Sequence, residues 1–157
     1  MTRRKTIFLA AVSFANVISP ALLAGTPSKK AVYRGGTLAV PDRSTKGEVR
    51  VTELEEFIFD YGSGQLRVRY ESINALEYGQ KAGRRLGLAI ALSPAFLLSK
   101  KRKHFLTINF VDSEERQQAA VFELGKKVVR TTLAGLEART GLRIEYQDED
   151  ARNSATQ

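Results

Sequence analysis

Apolar and polar residues alternate with a period of two along most of the middle of this chain. In one run, Phe57, Phe59 and Tyr61 share one face. Glu56 and Asp60 fall on the opposite face of the same run. Because successive side chains of a β-strand point to opposite faces, this pattern predicts strands with one face on a core and the other in solvent. The sequence therefore predicts a domain built mainly of antiparallel β-strands.

The same alternation predicts seven strands in total. They are Val32–Val40, Val49–Val51, Phe57–Tyr61, Leu66–Tyr70, Ile73–Gly79, His104–Val111 and Gln117–Leu124. Gly62-Ser63-Gly64 separates two of these runs, and its glycines tolerate the positive φ of a tight hairpin turn. Strands of this length and spacing are typical of a small antiparallel sandwich or barrel.

One amphipathic helix is predicted to follow the strands, starting near Lys126. Its apolar positions Val129, Leu133 and Leu136 recur at the spacing of one helical face, and Gly141 stands where a left-handed C-terminal cap belongs. Such a helix must bury its apolar face, and the open end of a small barrel offers the place. The predicted fold class is mainly β with one C-terminal helix that caps the barrel.

The first 24 residues are predicted to be a secretory signal peptide. Basic residues at Arg3–Lys5 precede an apolar stretch over Ile7–Ile18, and small residues offer cleavage after Ala21 or Ala24. An uncleaved membrane anchor is the alternative, because the apolar stretch approaches the length that crosses a bilayer. The prediction is an exported protein, periplasmic or extracellular, with association to a membrane as a further option.

Polar segments are predicted to flank the folded domain. Residues 25–30 form a short linker after the signal peptide, and residues 31–146 form the domain. Residues 147–157 carry three acidic residues and no apolar periodicity, so they are predicted to be a disordered, solvated tail.

The segment 80–103 breaks the alternation and is predicted to be an insertion in the domain. Its centre, Leu86–Ser99, contains fourteen residues without a charge. Between Gln80 and Lys103 there are seven basic residues and no acidic residue, in a chain whose formal net charge is +8. The basic character of the protein is therefore concentrated in this one insertion.

The insertion is predicted to dock on an anionic membrane surface. Fourteen helical residues span about 21 Å, which is short of a hydrocarbon core of about 30 Å, and Ser93-Pro94 predicts a bend. A bend would place both basic flanks on one side, where they meet lipid headgroups while the apolar side chains enter the acyl region. The predicted membrane- or partner-binding residues are Lys81, Arg84, Arg85, Leu88, Ile90, Leu92, Phe96, Leu97, Leu98, Lys100, Lys101, Arg102 and Lys103.

Two other roles for the insertion stay open at this point. Apolar runs of this length often pack against their own domain as an extra helix or strand pair. The insertion could also bind a protein partner or a second copy of the chain, because Gly83 and Gly87 have the spacing that allows close helix contact.

The composition excludes several kinds of reactive site. The chain has no Cys and one His, which removes disulfides, zinc fingers, iron–sulfur sites and thiol nucleophiles. That residue, His104, is interpreted as interfacial or structural, and Glu53, Glu55 and Glu56 as solvated surface. Nucleic-acid binding is disfavoured because the insertion is aliphatic, with only Phe96 to stack on a base. The prediction is a non-enzymatic module with no cofactor, no metal and no nucleic-acid partner.

The run Leu66–Tyr78 resembles a pattern common in pleckstrin-homology (PH) domains and their GRAM and bacterial PH-like relatives. Val68, Tyr70, Ile73 and Leu76 match the core positions of that pattern. The resemblance implies a seven-stranded barrel capped by a C-terminal helix. Some members bind phosphoinositides, but fold alone does not assign that role. In this chain the loop between the first two strands, Pro41–Lys46, contains few basic residues, which argues against binding of inositol phosphates.

Two further stretches are similar to a family of exported bacterial proteins. One is the "EYGQK-x-GRR" stretch at Glu77–Arg85, and the other is the "SP-x-FLLSKK" stretch at Ser93–Lys101. This similarity implies an exported PH-like domain with the insertion as a recurring feature.

Overall fold

The computed structural model describes residues 30–39, 41–80 and 103–156. The predicted signal peptide, most of the predicted linker and residues 81–102 of the insertion lie outside these ranges. The described strands are β1 (Lys30–Gly36), β2 (Lys46–Arg50), β3 (Glu56–Asp60), β4 (Gln65–Arg69), β5 (Ile73–Gly79), β6 (His104–Val111), β7 (Gln117–Leu124) and β8 (Ile144–Tyr146). The described α-helices are α1 (Val129–Thr140) and α2 (Glu149–Thr156), and single 3-10 turns lie at Tyr70–Ser72 and Lys126–Val128.

All eight strands belong to one sheet in the order β4-β3-β2-β1-β7-β6-β5-β8. Neighbouring strands run antiparallel, except that β8 runs parallel to β5, with Leu76 opposite Ile144. The fold class is confirmed as mainly β with a C-terminal helix, but the count of seven strands is corrected to eight. β8 is too short to show an alternation, and it pairs with a strand far away in the sequence.

The predicted end of the first strand is also corrected, because β1 stops at Gly36 rather than at Val40. At Gly36 a Cβ atom would lie 2.1 Å from the carbonyl oxygen of Ala119 on the neighbouring strand β7. Only glycine fits such a close approach. The register between β1 and β7 shifts between Tyr33 and Gly35, so the strand is irregular where it ends.

The core lies on the inner face of the sheet, which bends over it. Phe57 and Phe59 of β3 contact Phe122 of β7, with ring centroids 5.3 and 5.1 Å apart. Tyr33 of β1 packs edge-on against the same ring at 5.7 Å. Since β3 and β7 are separated by two strands in the sheet order, these contacts require strong curvature. The face of β3 that the alternation predicted to be buried, with Phe57 and Phe59, therefore lies on the core.

Helix α1 matches the prediction at both its buried face and its end. Val129, Leu133 and Leu136 are buried in the core cluster. Gly141 adopts the left-handed conformation with φ of 72°, and its N–H donates to the carbonyl oxygen of Glu137 at 2.9 Å. This cap satisfies a terminal carbonyl that would otherwise lack a partner.

Helix α2 corrects the prediction of a disordered tail for residues 149–156. Ala151 is 0% exposed and Ala155 is 5% exposed, and both belong to the core cluster. The carboxylate of Asp148 accepts a hydrogen bond from the backbone N–H of Ala151 at 2.8 Å, which caps the first turn. The sequence pattern missed this helix because its buried face consists of alanine, which carries little apolar signal.

Candidate functional site

The two ends of the predicted insertion meet at one point of the sheet. β5 ends at Gly79 and β6 begins at His104, and these strands are antiparallel neighbours. The N–H of Lys103 donates to the carbonyl oxygen of Gln80 at an N···O distance of 3.5 Å. The chain therefore leaves and re-enters the sheet at adjacent positions, which we call the insertion root.

Lys103 is the predicted binding residue that falls within the described part of the chain. The other twelve lie outside the described residues. They are Lys81, Arg84, Arg85, Leu88, Ile90, Leu92, Phe96, Leu97, Leu98, Lys100, Lys101 and Arg102.

An ion cluster holds Lys103 against the sheet. Its Nζ lies 3.0 Å from Glu123 Oε2, and Arg34 Nη2 lies 2.7 Å from the same oxygen. Arg34 Nε also donates to this oxygen at 2.8 Å. The three side chains are mostly shielded from solvent, so this pairing is stronger than that of fully exposed ions. Lys103 thus fixes the insertion root, a role that sequence spacing could not reveal because Glu123 lies on another strand.

Beside this cluster, part of the sheet face opposite the core is also buried. Phe105 and Thr107 of β6 and Ala119 and Val121 of β7 point to this face, and each is at most 6% exposed. We call these four residues the outer patch. The alternation correctly placed Phe105 and Thr107 opposite the core residues of β6, but it did not predict that this face would be shielded from solvent.

A polar cluster connects the insertion root to helix α2. The Tyr78 hydroxyl lies 2.5 Å from His104 Nδ1 and 3.2 Å from Ser154 Oγ. Burial raises the pKa of Tyr78 and lowers the pKa of His104, with Lys126 also lowering the latter and Glu123 opposing it. Because these shifts favour the neutral forms, the Tyr78 hydroxyl can donate a hydrogen bond to His104 Nδ1. His104 is therefore a structural residue that links β6 to β5.

The acidic run of the sequence lies at the surface, as interpreted. Glu53 and Glu55 are exposed, and Glu56 Oε2 accepts a hydrogen bond from Arg67 Nη1 at 2.9 Å. Across the described ranges, His, Asp and Glu side chains form no group of three that could hold a metal ion. None of the helices in those ranges is both long enough and apolar enough to cross a membrane.

Comparison with known proteins yields no matching family model and no matching curated protein.

Proposed function

We propose that this protein is a non-enzymatic, exported binding module that attaches peripherally to an anionic membrane surface through its insertion. The observation that carries this proposal is the insertion root, where Lys103 pairs with Gln80. Because the chain leaves and returns at one point, the basic flanks on either side of Leu86–Ser99 start from the same place. A hairpin rooted in this way can put its cations at the headgroups and its apolar bend in the acyl region.

Charge and apolar burial together supply enough free energy for stable attachment. Each basic residue near an anionic leaflet contributes about 1 kcal/mol. Lys103 is already paired with Glu123, so we count the six other basic residues of the flanks. The apolar side chains add a second term of about 1.5–3 kcal/mol for each one that is fully buried. Two modest signals of this kind together are what stable membrane anchoring requires.

We also propose that the sheet curls into a PH-like barrel that stays open between its edge strands β4 and β8. The strand order supports this, because β1 lies between β2 and β7 and so joins the two halves of the domain. The contact of Phe57 with Phe122 across the core and the packing of α1 on that core agree with a capped barrel. The parallel strand β8 and helix α2 are additions to the arrangement that the resemblance implies.

The test measures vesicle binding of the mature chain with the charges of one flank reversed. The variant carries Lys100→Glu, Lys101→Glu and Arg102→Glu, and it leaves Lys103 in place to preserve the insertion root. On vesicles of phosphatidylcholine with phosphatidylglycerol, we expect at least about tenfold weaker binding, since attraction becomes repulsion at three positions. Wild-type binding should also fall as salt is raised and vanish on pure phosphatidylcholine.

A matched control reverses three exposed charges elsewhere in the domain. Arg69→Glu, Arg139→Glu and Arg143→Glu make the same change in net charge on exposed positions. We expect this control to bind within about twofold of the wild type, because these residues lie near the Ile73 end of β5, whereas the insertion leaves from its Gly79 end. Equal binding by the flank variant and the wild type would refute the membrane proposal.

The alternative function is binding of a protein partner or self-association through the same insertion. Deleting Leu86–Ser99 and measuring the molar mass in solution tests the self-association arm. A drop from dimer to monomer would support self-association, and an unchanged mass would rule it out. Unaltered stability after the deletion would also argue against packing of this segment on the outer patch.

A further inference from the structure

The end of the sheet from which the insertion leaves carries exposed cations that belong to other elements. β7 ends at Leu124, which pairs with His104 of β6 on one side and with Ala31 of β1 on the other. The N–H of Gly125 donates to the carbonyl oxygen of Lys30 at 3.1 Å, so the start of β1 and the end of β7 meet beside the insertion root. We call the exposed cations at this place the basic rim. They are Lys30, Lys126, Lys127 and Arg130.

The basic rim lies close enough to the insertion root to act on it electrostatically. The charge of Lys126 lowers the pKa of His104, the residue that follows Lys103. Arg130 is four residues after Lys126 in a continuous helical stretch, so the two side chains lie on one side of it. At physiological salt a charge acts over about 8 Å. Cations this near the root therefore reach the plane that a docked insertion enters.

The described carboxylates around the rim do not cancel its charge. None of the four rim side chains forms an ion pair with a carboxylate of the described residues. Glu48 of β2 stands opposite Lys30, but Lys46 lies two residues before it on the same strand face and offsets its charge. Glu123 is already held by the two cations of the ion cluster at the root. The rim therefore keeps a positive charge that an anion can meet.

The acidic first turn of α2 lies on the other side of the insertion root. The N–H of Gln147 donates to the carbonyl oxygen of Tyr78 at 3.0 Å, which places residues 148–150 beside the end of β5. In the sheet order, β6 separates β5 from β7. The residue of α2 that contacts the Tyr78 hydroxyl, and through it His104, is the uncharged Ser154. The positive side of this end is therefore the one formed by β1, β7 and the start of α1.

The rim cations do not serve the helix that carries them. The first turn of α1 contains no acidic residue, and Lys126 and Lys127 occupy the 3-10 turn before it. Positive charges at this end of a helix oppose its macrodipole, whereas a nearby anion is favourable. A departure of this kind from the locally favoured charge is typical of functional surfaces.

We propose that the basic rim binds the phosphate groups of anionic lipids while the insertion is docked, and so sets which side of the domain faces the membrane. This inference rests on the proposed function, because the insertion is what brings the rim to the headgroups. The domain then lies with the starts of β1 and α1 toward the membrane and with the β6–β7 loop away from it.

The first test compares vesicle binding of a rim variant with that of the wild type. The variant carries Lys126→Glu, Lys127→Glu and Arg130→Glu, and the vesicles again contain phosphatidylcholine and phosphatidylglycerol. We expect at least about tenfold weaker binding, and binding within about twofold of the wild type for the control with Arg69→Glu, Arg139→Glu and Arg143→Glu. Acidic residues suit the start of a helix, so the rim variant should be no less stable in urea, and unfolding would not explain its loss of binding. Equal binding by the rim variant and the wild type would overturn the inference.

The second test measures the orientation of the bound domain. Because the chain has no Cys, Thr131→Cys on α1 and Ser113→Cys in the β6–β7 loop each give one site for a fluorophore, and both positions are exposed. With nitroxide-labelled lipid headgroups in the vesicles, we expect strong quenching at position 131 and weak quenching at position 113. At saturating lipid, the rim substitutions should reduce this difference. Equal quenching at the two positions in the otherwise unchanged protein would refute the orientation.

The failure of this inference differs from the failure of the proposed function. If the wild type binds no anionic vesicles, the membrane function is wrong and the rim has no role in it. If the wild type binds and the flank variant with Lys100→Glu, Lys101→Glu and Arg102→Glu does not, the function holds. Wild-type binding by the rim variant in that case would show that the rim inference alone is wrong.

Discussion

Placing a charge on the buried face of α2 should undock this helix from the domain. Ala151 is 0% exposed, whereas Asn153 on the same helix is exposed. Ala151→Asp and Asn153→Asp therefore introduce the same carboxylate into opposite environments. A carboxylate without a partner at the buried position costs about 3 kcal/mol or more. At the exposed position the change should stay within about 0.5 kcal/mol.

The loss of unfolding free energy caused by Ala151→Asp has an upper limit, because α2 can detach while the sheet stays folded. The docked helix buries the methyl groups of Ala151 and Ala155, each worth about 0.8 kcal/mol. Ser154 adds its contact with the Tyr78 hydroxyl, worth about 1 kcal/mol. We therefore expect Ala151→Asp to lower the free energy of unfolding by about 2–3 kcal/mol.

Urea unfolding measures the global change, and amide hydrogen exchange along α2 shows whether the helix has detached. Ala151→Asp should remove the protection of the α2 amides while leaving that of β6 and β7 intact. If Ala151→Asp and Asn153→Asp unfold at the same urea concentration, the packing of α2 inferred from its burial is wrong.

Three more predictions concern the sheet, the β6–β7 loop and the N-terminus. Gly36→Ala should destabilise the domain by about 2 kcal/mol in urea unfolding, because its Cβ would strike Ala119. A Cβ at Gly62 would have no atom within 4 Å, so Gly62→Ala should cost only about 1 kcal/mol. Equal losses of stability in the two variants would contradict the steric argument. The backbone N–H of Arg116 holds the pKa of the Asp112 carboxyl well below its ordinary 3.8. The ionised Asp112 therefore contributes its full stabilisation at pH values above 3.8, and this is lost as the pH falls through the lower pKa of the folded state. Asp112→Asn should make the free energy of unfolding depend less on pH in acid. Expression of the full chain in a Gram-negative bacterium should give a periplasmic protein cleaved within residues 21–25. An intact mass would favour the uncleaved anchor, and an intact protein in the cytoplasm would contradict export.

The local patterns of the sequence predicted most of the sheet. Alternation over Phe57–Tyr61 and Leu66–Tyr70 located a hairpin, because each residue's face depends only on its neighbours in the chain. β8 escaped detection because its three residues pair with β5, more than sixty residues earlier in the chain. Helix α2 was not predicted for a different reason. Its buried residues are alanines, which pack into small spaces but add little to a hydrophobic pattern in the sequence.

The candidate site was less predictable, because its contacts join distant strands. The insertion was recognisable from its uncharged centre and basic flanks, and its membrane role stays a prediction. The pairing of Lys103 with Glu123, and of Tyr78 with His104, depends on the alignment of β5, β6 and β7. No spacing in the sequence specifies that alignment, so the sequence predicts Lys103 only as one of the membrane- or partner-binding residues and does not reveal its pairing with Glu123.

The unequal borders of the sheet limit how copies of the protein could join. β8 is three residues long and leads within three residues into α2, so it offers little template for another strand. β4 is longer, with five residues, but it carries Arg67 and Arg69. Like charges at directly opposed positions disfavour the pairing of one β4 with a second β4. A fibre grows only when each molecule offers two compatible borders, one for the molecule before and one for the molecule after. Within the described residues this domain presents one usable border, so strand addition would stop after a single partner.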